Sequence, residues 1–365
     1  MARTSPRRLV MLSLAGSALA MAVLPAINIS RNLATGRSSE LFSIDFALPV
    51  ISRPLLDAGI SILPDRVVVG KAGWEFLGDH YADSISAKRH PASETDRVAA
   101  RARDASAQAW GTWLAAHGVQ GWHVLVCADK DSIYPDLLPA WYRPAAGTAA
   151  DVAFEASDPR LFIDTRPALR RERGVDGPPL YMRTDTHWTA RGAWVAYREL
   201  ARAWSADAPG LATLQPSDVR FQAVDRHLGD LSGLLSVAAP HGDVAASVDI
   251  AGGRDRGRVR LNAGTESSTT ASDVPVPKVP MLIRSPNALN AKRLLWLRDS
   301  FGEALLPYVA ATFTDVVEVD RKRLSPGTFA AMVQRFKPDF VLDSVVERDS
   351  RDWLGPPPSP RSSAQ

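Results

Sequence analysis

Two rhythms of apolar residues alternate along this chain: short unbroken runs, and longer stretches in which apolar positions recur at spacings of three and four. Unbroken runs suit strands buried on both faces, and the three-four spacing suits helices with one buried face, so the alternation predicts an α/β protein. Arg66-Val67-Val68-Val69-Gly70 predicts a strand closed by glycine, Lys71-Ala72-Gly73 a tight turn, and Trp74-Glu75-Phe76-Leu77 the returning strand of a hairpin. Residues 95–117 predict a helix with Thr95 as N-cap, Gly118 as terminator and Val98, Ala102, Ala105, Ala109, Trp113 and Ala116 along one face. Residues 122–128 predict a strand, and Leu161-Phe162-Ile163 a shorter one. A second helix over 189–204 turns Ala193, Val195, Ala196, Leu200 and Trp204 inward. The rhythm then gives a strand at 293–297, a helix at 303–312 with Pro307 early in it or at a kink, and strands at 316–319 and 340–342. Residues 252–278, rich in Gly, Arg, Ser, Thr and Asp, predict an exposed insertion or irregular β segment.

The first residues follow a different pattern. Arg3, Arg7 and Arg8 precede an uncharged, largely apolar stretch over 9–29, the arrangement of an export signal or signal anchor. Ala18-Leu19-Ala20 offers a small-residue cleavage site, but apolar residues continue to Ile27, giving a run of about the 20 residues that cross a bilayer. An uncleaved anchor is the preferred expectation. The organisation expected is a signal anchor or signal peptide at 1–29, a linker at 30–60, one folded α/β domain at 61–350 and a disordered tail at 351–365.

Composition narrows the function classes. The chain has 365 residues, 45% of them apolar, enough for one large domain. Lys and Arg number 43 against 40 Asp and Glu, a net charge of +3, with no long basic run and no aromatic-basic interleaving; nucleic acid is a poor candidate partner. The single cysteine, Cys127, lies in an apolar run and rules out an internal disulfide and a multi-thiolate metal site. The remaining histidines lack ligand spacing, so no metal or cofactor is expected.

Two segments carry candidate chemistry. In Leu294-Leu295-Trp296-Leu297-Arg298-Asp299-Ser300-Phe301-Gly302 an apolar strand runs into a small polar turn just before a helix. Such a turn exposes a hydroxyl at the carboxyl end of a strand, beside helix-start N–H groups that can stabilise an oxyanion. In Arg183-Thr184-Asp185-Thr186-His187-Trp188-Thr189, an extended Asp-x-His would place both side chains on one side, a carboxylate to orient an imidazole and an imidazole to activate a serine. Each segment alone also fits a plainer role, Asp299 and Ser300 as a helix cap and Asp185 as a cap beside an incidental His187.

Together they resemble the alginate O-acetyltransferase family of the AlgX/AlgJ type, whose catalytic domain is similar to the SGNH hydrolases. Four blocks carry the resemblance over roughly residues 60–350: Val69-Gly70-Lys71-Ala72-Gly73-Trp74-Glu75-Phe76-Leu77, Asp129-Lys130-Asp131-Ser132-Ile133-Tyr134-Pro135, Tyr181 to Gly192 with Asp185-Thr186-His187-Trp188, and Arg298-Asp299-Ser300-Phe301. The resemblance implies an SGNH hydrolase-like α/β domain with a central, mostly parallel sheet flanked by helices, and the N-terminal pattern adds the expected membrane anchor before it. It implies Ser300 as nucleophile, His187 as general base and acid and Asp185 as its orienting carboxylate. Asp-x-His precedes the serine, the reverse of ordinary SGNH hydrolases. Arg298 stands where many SGNH-type motifs have glycine, and the Ser300 N–H is the one oxyanion donor that can be named. Gly229-Asp230-Leu231-Ser232 also matches a family segment without an assigned role, and Trp188 offers either packing or a sugar-stacking face. The implied activity is acetyl transfer to hydroxyls of a periplasmic polysaccharide, with a membrane-bound O-acyltransferase supplying the acetyl group. An acetyl-esterase with the same triad, and a non-catalytic polysaccharide-binding or assembly subunit, are the alternatives.

Overall fold

The computed structural model describes residues 21–34, 36, 40–44, 47–226, 229–235, 243–254, 259–262, 276–277 and 279–358. The strands in chain order are β1 (Val67–Val69), β2 (Glu75–Leu77), β3 (Gly121–Cys127), β4 (Phe162–Asp164), β5 (Val219–Arg226), β6 (Asp243–Ile250), β7 (Val259–Asn262), β8 (Met281–Arg284), β9 (Asn290–Arg298), β10 (Phe313–Asp320) and β11 (Phe340–Val346). The helices are α1 (residues 21–34), α2 (Leu48–Asp57), α3 (Glu94–Ala116), α4 (Lys130–Ile133), α5 (Ala149–Glu155), α6 (Arg166–Glu172), α7 (Ala190–Asp207), α8 (Asp230–Leu234), α9 (Gly302–Thr312) and α10 (Pro326–Phe336).

Among the described residues the main sheet has seven strands in the order β4-β3-β11-β9-β10-β8-β7. The first five run parallel, and β8 and β7 add antiparallel at one edge. The sheet is therefore mixed: its centre is parallel as expected, and part of the 252–278 stretch supplies its edge strand β7 rather than lying wholly outside it. Period-two alternation explains the double burial of the centre. Val124, Val126, Leu295, Leu297, Val341 and Val345 face α3 and α10, while Leu125, Cys127, Leu294, Trp296, Leu342 and Val346 face α7 and α9. Both faces are covered by helices, so the strands are largely apolar, and the polar residues inside them are buried with partners: Glu318 with Arg298, Asp343 with Arg321 and Ser344 with Trp296.

Several boundaries differ from the sequence reading. Helix α3 starts one residue earlier, with Ser93 as N-cap in a capping box with Asp96, and Gly118, at φ +84°, ends it. Its buried face is Ala100, Arg103, Ala107, Trp110 and Leu114, whereas Val98, Ala102, Ala105 and Ala116 are exposed. The expected linker contains α2, and Leu56, Ile62 and Leu63 pack against Val67 and Val69. The tail expected to be disordered from 351 is packed as far as Gly355: Trp110 Nε1 donates to Gly355 O at 2.8 Å, Ser106 Oγ to Leu354 O at 3.1 Å, and the Trp353 ring lies 5.9 Å from that of Phe162. Residues 1–20 of the expected anchor lie outside the described residues, and no described helix is long and apolar enough to cross a membrane.

Candidate active site

Ser300 stands in the turn that leaves β9 at its carboxyl end, directly before α9. Buried Asp299 shapes that turn. One carboxylate oxygen accepts the Phe301 N–H at 2.9 Å and the other the Val346 N–H at 2.7 Å, pinning the turn to the end of neighbouring β11. Burial pushes the Asp299 carboxyl above its ordinary range despite these bonds. Arg298, the residue in place of glycine, points into the sheet instead of the site. It is fully buried, donates from Nε to Glu318 Oε2 on β10 at 2.7 Å and from Nη1 to Asp299 O at 3.0 Å.

The partner residues come from the loop before α7. The expected extended segment is instead a compact loop closed by a bridge between Tyr181 and Trp188. Asp185 and His187 still meet, because Asp185 Oδ1 accepts both the His187 backbone N–H at 2.9 Å and its Nδ1–H at 2.8 Å. This is a local aspartate turn of the kind Asp favours in loops. The other ring nitrogen, Nε2, lies 2.9 Å from Ser300 Oγ, a contact across 113 positions of chain. With Nδ1 donating to a carboxylate, Nε2 is left to accept the serine proton. Trp188 reinforces the meeting from below. It is 1% exposed, its Nε1 donates to Phe301 O at 3.0 Å, and its ring packs edge-on against Phe301, so it offers no face for a sugar.

The charges are matched to a base at position 187. Burial pulls the His187 pKa down, but the hydrogen bond and charge of Asp185 with the charge of Asp230 outweigh it, and the pKa ends above the ordinary value. Asp185 shows the reciprocal effect: burial opposes its ionisation, yet His187 and the N–H of Asp230 hold it down to about 2. Asp185 is therefore an anion throughout the neutral range, and an imidazolium formed at His187 has a fixed counter-charge.

A scaffold missed by the sequence reading holds the loop. Lys130 is buried beneath it, and its ammonium donates to the carbonyls of Met182 at 3.1 Å, Arg183 at 3.1 Å and Asp185 at 2.7 Å. Burial lowers the Lys130 pKa to about 8 against the charges of Glu75, Asp230, Asp185 and Asp243. Glu75, on β2, is bound by Ser232 Oγ at 2.8 Å, and burial raises its pKa to about 7. Asp243, at the start of β6, accepts the N–H groups of Arg183 at 2.9 Å and Thr184 at 2.5 Å. The Gly229-Asp230-Leu231-Ser232 segment closes the other side. Asp230 Oδ2 lies 3.5 Å from His187 Nδ1, while Oδ1 accepts the Thr186 N–H at 2.7 Å. A Cβ on Gly229 would stand 2.1 Å from the Thr184 carbonyl oxygen, so only glycine permits this approach. The quoted Gly-Asp-Leu-Ser string was the available signal; its partner loop, 45 positions away, was not.

By distance alone, Asp185, His187 and Asp230 could gather around a metal ion. The donor chemistry argues against it, since the Nδ1 proton occupies the lone pair an ion would need and Nε2 faces Ser300.

The parallel-centred sheet with a serine, histidine and aspartate at its carboxyl edge is the layout of an SGNH hydrolase-like α/β protein. A family model described as SGNH hydrolase-like domain, acetyltransferase AlgX, matches residues 67–279, more than half of the chain, and the protein belongs to that family. The matched stretch contains Asp185, His187 and Asp230 and ends before Ser300, whose place in the site rests on geometry. Among solved structures, Bacillus cereus PatB1 is similar with a TM-score of 0.58 at 14% identity, over 78% of this chain and 96% of PatB1. A DHHW family protein from Eubacterium siraeum gives a TM-score of 0.51 at 14% identity, over 78% of this chain and 91% of its own. The O-acetyltransferase domain of Pseudomonas putida AlgJ gives 0.47 at 19% identity, over 82% and 95% of the two chains, a score too low to support an argument. At such identities the likeness speaks for the fold alone. No curated protein matches the chain.

Proposed function

We propose that this protein is a serine-dependent O-acetyltransferase that moves acetyl groups to hydroxyls of a polysaccharide. The observation that carries the reading is the continuous hydrogen-bonded line from Asp185 Oδ1 through His187 to Ser300 Oγ, with contacts of 2.8 and 2.9 Å. In the proposed mechanism His187 Nε2 takes the Ser300 proton as Oγ attacks the acetyl carbonyl carbon, and the imidazolium then protonates the leaving group. A sugar hydroxyl attacks the acetyl-serine in the second half, giving its proton to His187 and releasing the acetylated sugar and free Ser300. Asp185 holds the ring and balances its transient charge. The Ser300 N–H faces the forming oxyanion.

Family membership supports acetyl transfer as the chemistry, and the basic and apolar N-terminal stretch supports action outside the cytoplasm, in the periplasm and tethered to the inner membrane. A membrane-bound O-acyltransferase as acetyl supplier belongs to the same proposal. The test is incubation with an activated acetyl ester, with and without oligosaccharide. Acetylated oligosaccharide that disappears in Ser300→Ala supports the proposal; free acetate alone supports an esterase. Acetylation unaffected by Ser300→Ala supports a non-catalytic subunit.

A further inference from the structure

One half of an oxyanion site is missing from the turn that bears Ser300. The Phe301 N–H is engaged by Asp299 Oδ1 at 2.9 Å, the Gly302 N–H by Asp299 O at 3.3 Å and the Glu303 N–H by Ser300 O at 3.2 Å. Only the Ser300 N–H remains from this turn, whereas tetrahedral intermediates of acyl transfer are ordinarily held by two or more donors. A second donor has to come from another element.

The adjacent strand supplies one. In the parallel register Ser344 of β11 lies opposite Arg298 of β9, and β11 ends at Val346, whose N–H is bound by Asp299. The chain therefore passes the level of Ser300 and reaches Arg348 two residues beyond the end of β11. The Arg348 guanidinium lies 5.6 Å from the centre of the Phe301 ring, and the His187 ring lies 5.0 Å from the same ring. Its charge is felt on both sides of the nucleophile, lowering the pKa of His187 and of Asp299. The guanidinium is held from behind: Nη1 donates to Asp129 Oδ1, the Arg348 N–H donates to Asp129 Oδ2 at 3.0 Å, and Lys88 binds the same carboxylate at 3.1 Å. Asp129, at the end of β3, is 3% exposed, so the arginine is anchored to a fixed point. Among the described residues Nε and Nη2 make no hydrogen bond, and they are not sealed from solvent. A fixed cation with unengaged donors thus stands at the lip of the site.

We propose that Arg348 is the second oxyanion donor, offering its free guanidinium N–H groups to the acyl oxygen that the Ser300 N–H binds from the other side. As Oγ bonds to the acyl carbon, the carbonyl π pair moves onto that oxygen. The positive charge of Arg348 meets this negative charge, and the pair returns as the leaving alkoxide departs with the proton from His187. The inference rests on the serine acyl-enzyme reading.

The experiment follows acylation of Ser300 by p-nitrophenyl acetate, with release of p-nitrophenolate as the rate signal and mass spectrometry of the Ser300 peptide as the check. Arg348→Ala is expected to slow acylation about 100-fold with little change in KM, as loss of one oxyanion donor does. Guanidinium chloride at millimolar concentration is expected to restore part of the rate in Arg348→Ala and to leave wild type unaffected. Arg348→Lys can keep an ion pair with Asp129 but has no second arm, and is expected to lose at least 10-fold; it serves as the reading should Arg348→Ala fail to fold. The acidic limb of the pH profile is expected to move to higher pH in Arg348→Ala, because a charge that lowers the His187 pKa is gone. Wild-type protein that acylates while either folded variant keeps the wild-type rate overturns the assignment. Wild-type protein that never acylates overturns the acyl-enzyme reading itself.

Discussion

Replacing Lys130 with methionine separates the stability of the Asp185 loop from its geometry. Methionine nearly matches the length of the lysine stem and carries no donor. At pH 7 the substitution removes three N–H···O contacts of 2.7 to 3.1 Å. The Arg183 carbonyl keeps the Glu75 N–H at 3.0 Å, so the loss falls chiefly on the other two acceptors and amounts to about 2–4 kcal/mol. Against that, burial has lowered the Lys130 pKa from 10.5 to about 8, and this difference is worth about 3 kcal/mol of strain that the apolar side chain relieves. The two contributions nearly offset each other, and the expected change in unfolding free energy is within about 2 kcal/mol. Activity should respond differently. Lys130 fixes the backbone of Asp185, and a catalytic group displaced by about 1 Å loses about 100-fold in rate. Urea denaturation and acylation of Ser300 measured on the same preparation check both halves. Wild-type acylation in a folded Lys130→Met protein, or destabilisation above about 4 kcal/mol, refutes the reasoning.

Other perturbations probe neighbouring contacts. Gly229→Ala sets a methyl against the backbone of Thr184 and Asp185, and is expected to destabilise by about 2–4 kcal/mol and to lower acylation at least 10-fold; Gly233→Ala, with no atom within 4 Å of the new methyl, is the control expected to keep both within error. Asp230→Asn keeps an oxygen for Thr186 but removes a charge that raises the His187 pKa, so the acidic limb of the acylation profile is expected to move to lower pH than in wild type; an unmoved limb contradicts the proposed coupling. Glu75 carries a pKa raised to about 7 from 4.5, so the folded protein holds that proton longer than the unfolded chain does, and this contribution to stability is lost as pH rises from about 4.5 through about 7. Glu75→Gln is expected to remove that loss, its melting temperature gaining on wild type between pH 5 and about 8; a constant difference across the window contradicts it.

The apolar run of 294–297 made β9 legible, whereas only 340–342 of β11 was read because Asp343 and Ser344 interrupt its apolar run; α7 was legible because its apolar face, ending in Leu200 and Trp204, is distinct from its charged one. Helix α3 was misread for the opposite reason. Alanines occur all around it, and two of its inward residues are polar: Arg103 reaches Ala153 O at 2.7 Å, and Ser106 reaches the chain end. A pattern of apolar positions cannot reveal polar residues buried with partners of their own. The tail looked unstructured because it is rich in proline and serine, yet Trp353 and Leu354 pack against the core. Asp185, His187 and Ser300 could be picked out because strand-turn-helix chemistry and Asp-x-His are local strings. Lys130, Glu75, Asp243 and Arg348 could not be given roles, since each acts on the site through contacts made only when distant segments fold together.

Mass spectrometry of the Ser300 peptide after brief exposure to an activated acetyl ester tests the central claim most directly. The account predicts a single acetyl group on Ser300 in wild-type protein, strongly slowed in His187→Ala and absent from Ser300→Ala. An unmodified Ser300 in folded wild-type protein, or equal labelling after His187→Ala, would contradict it.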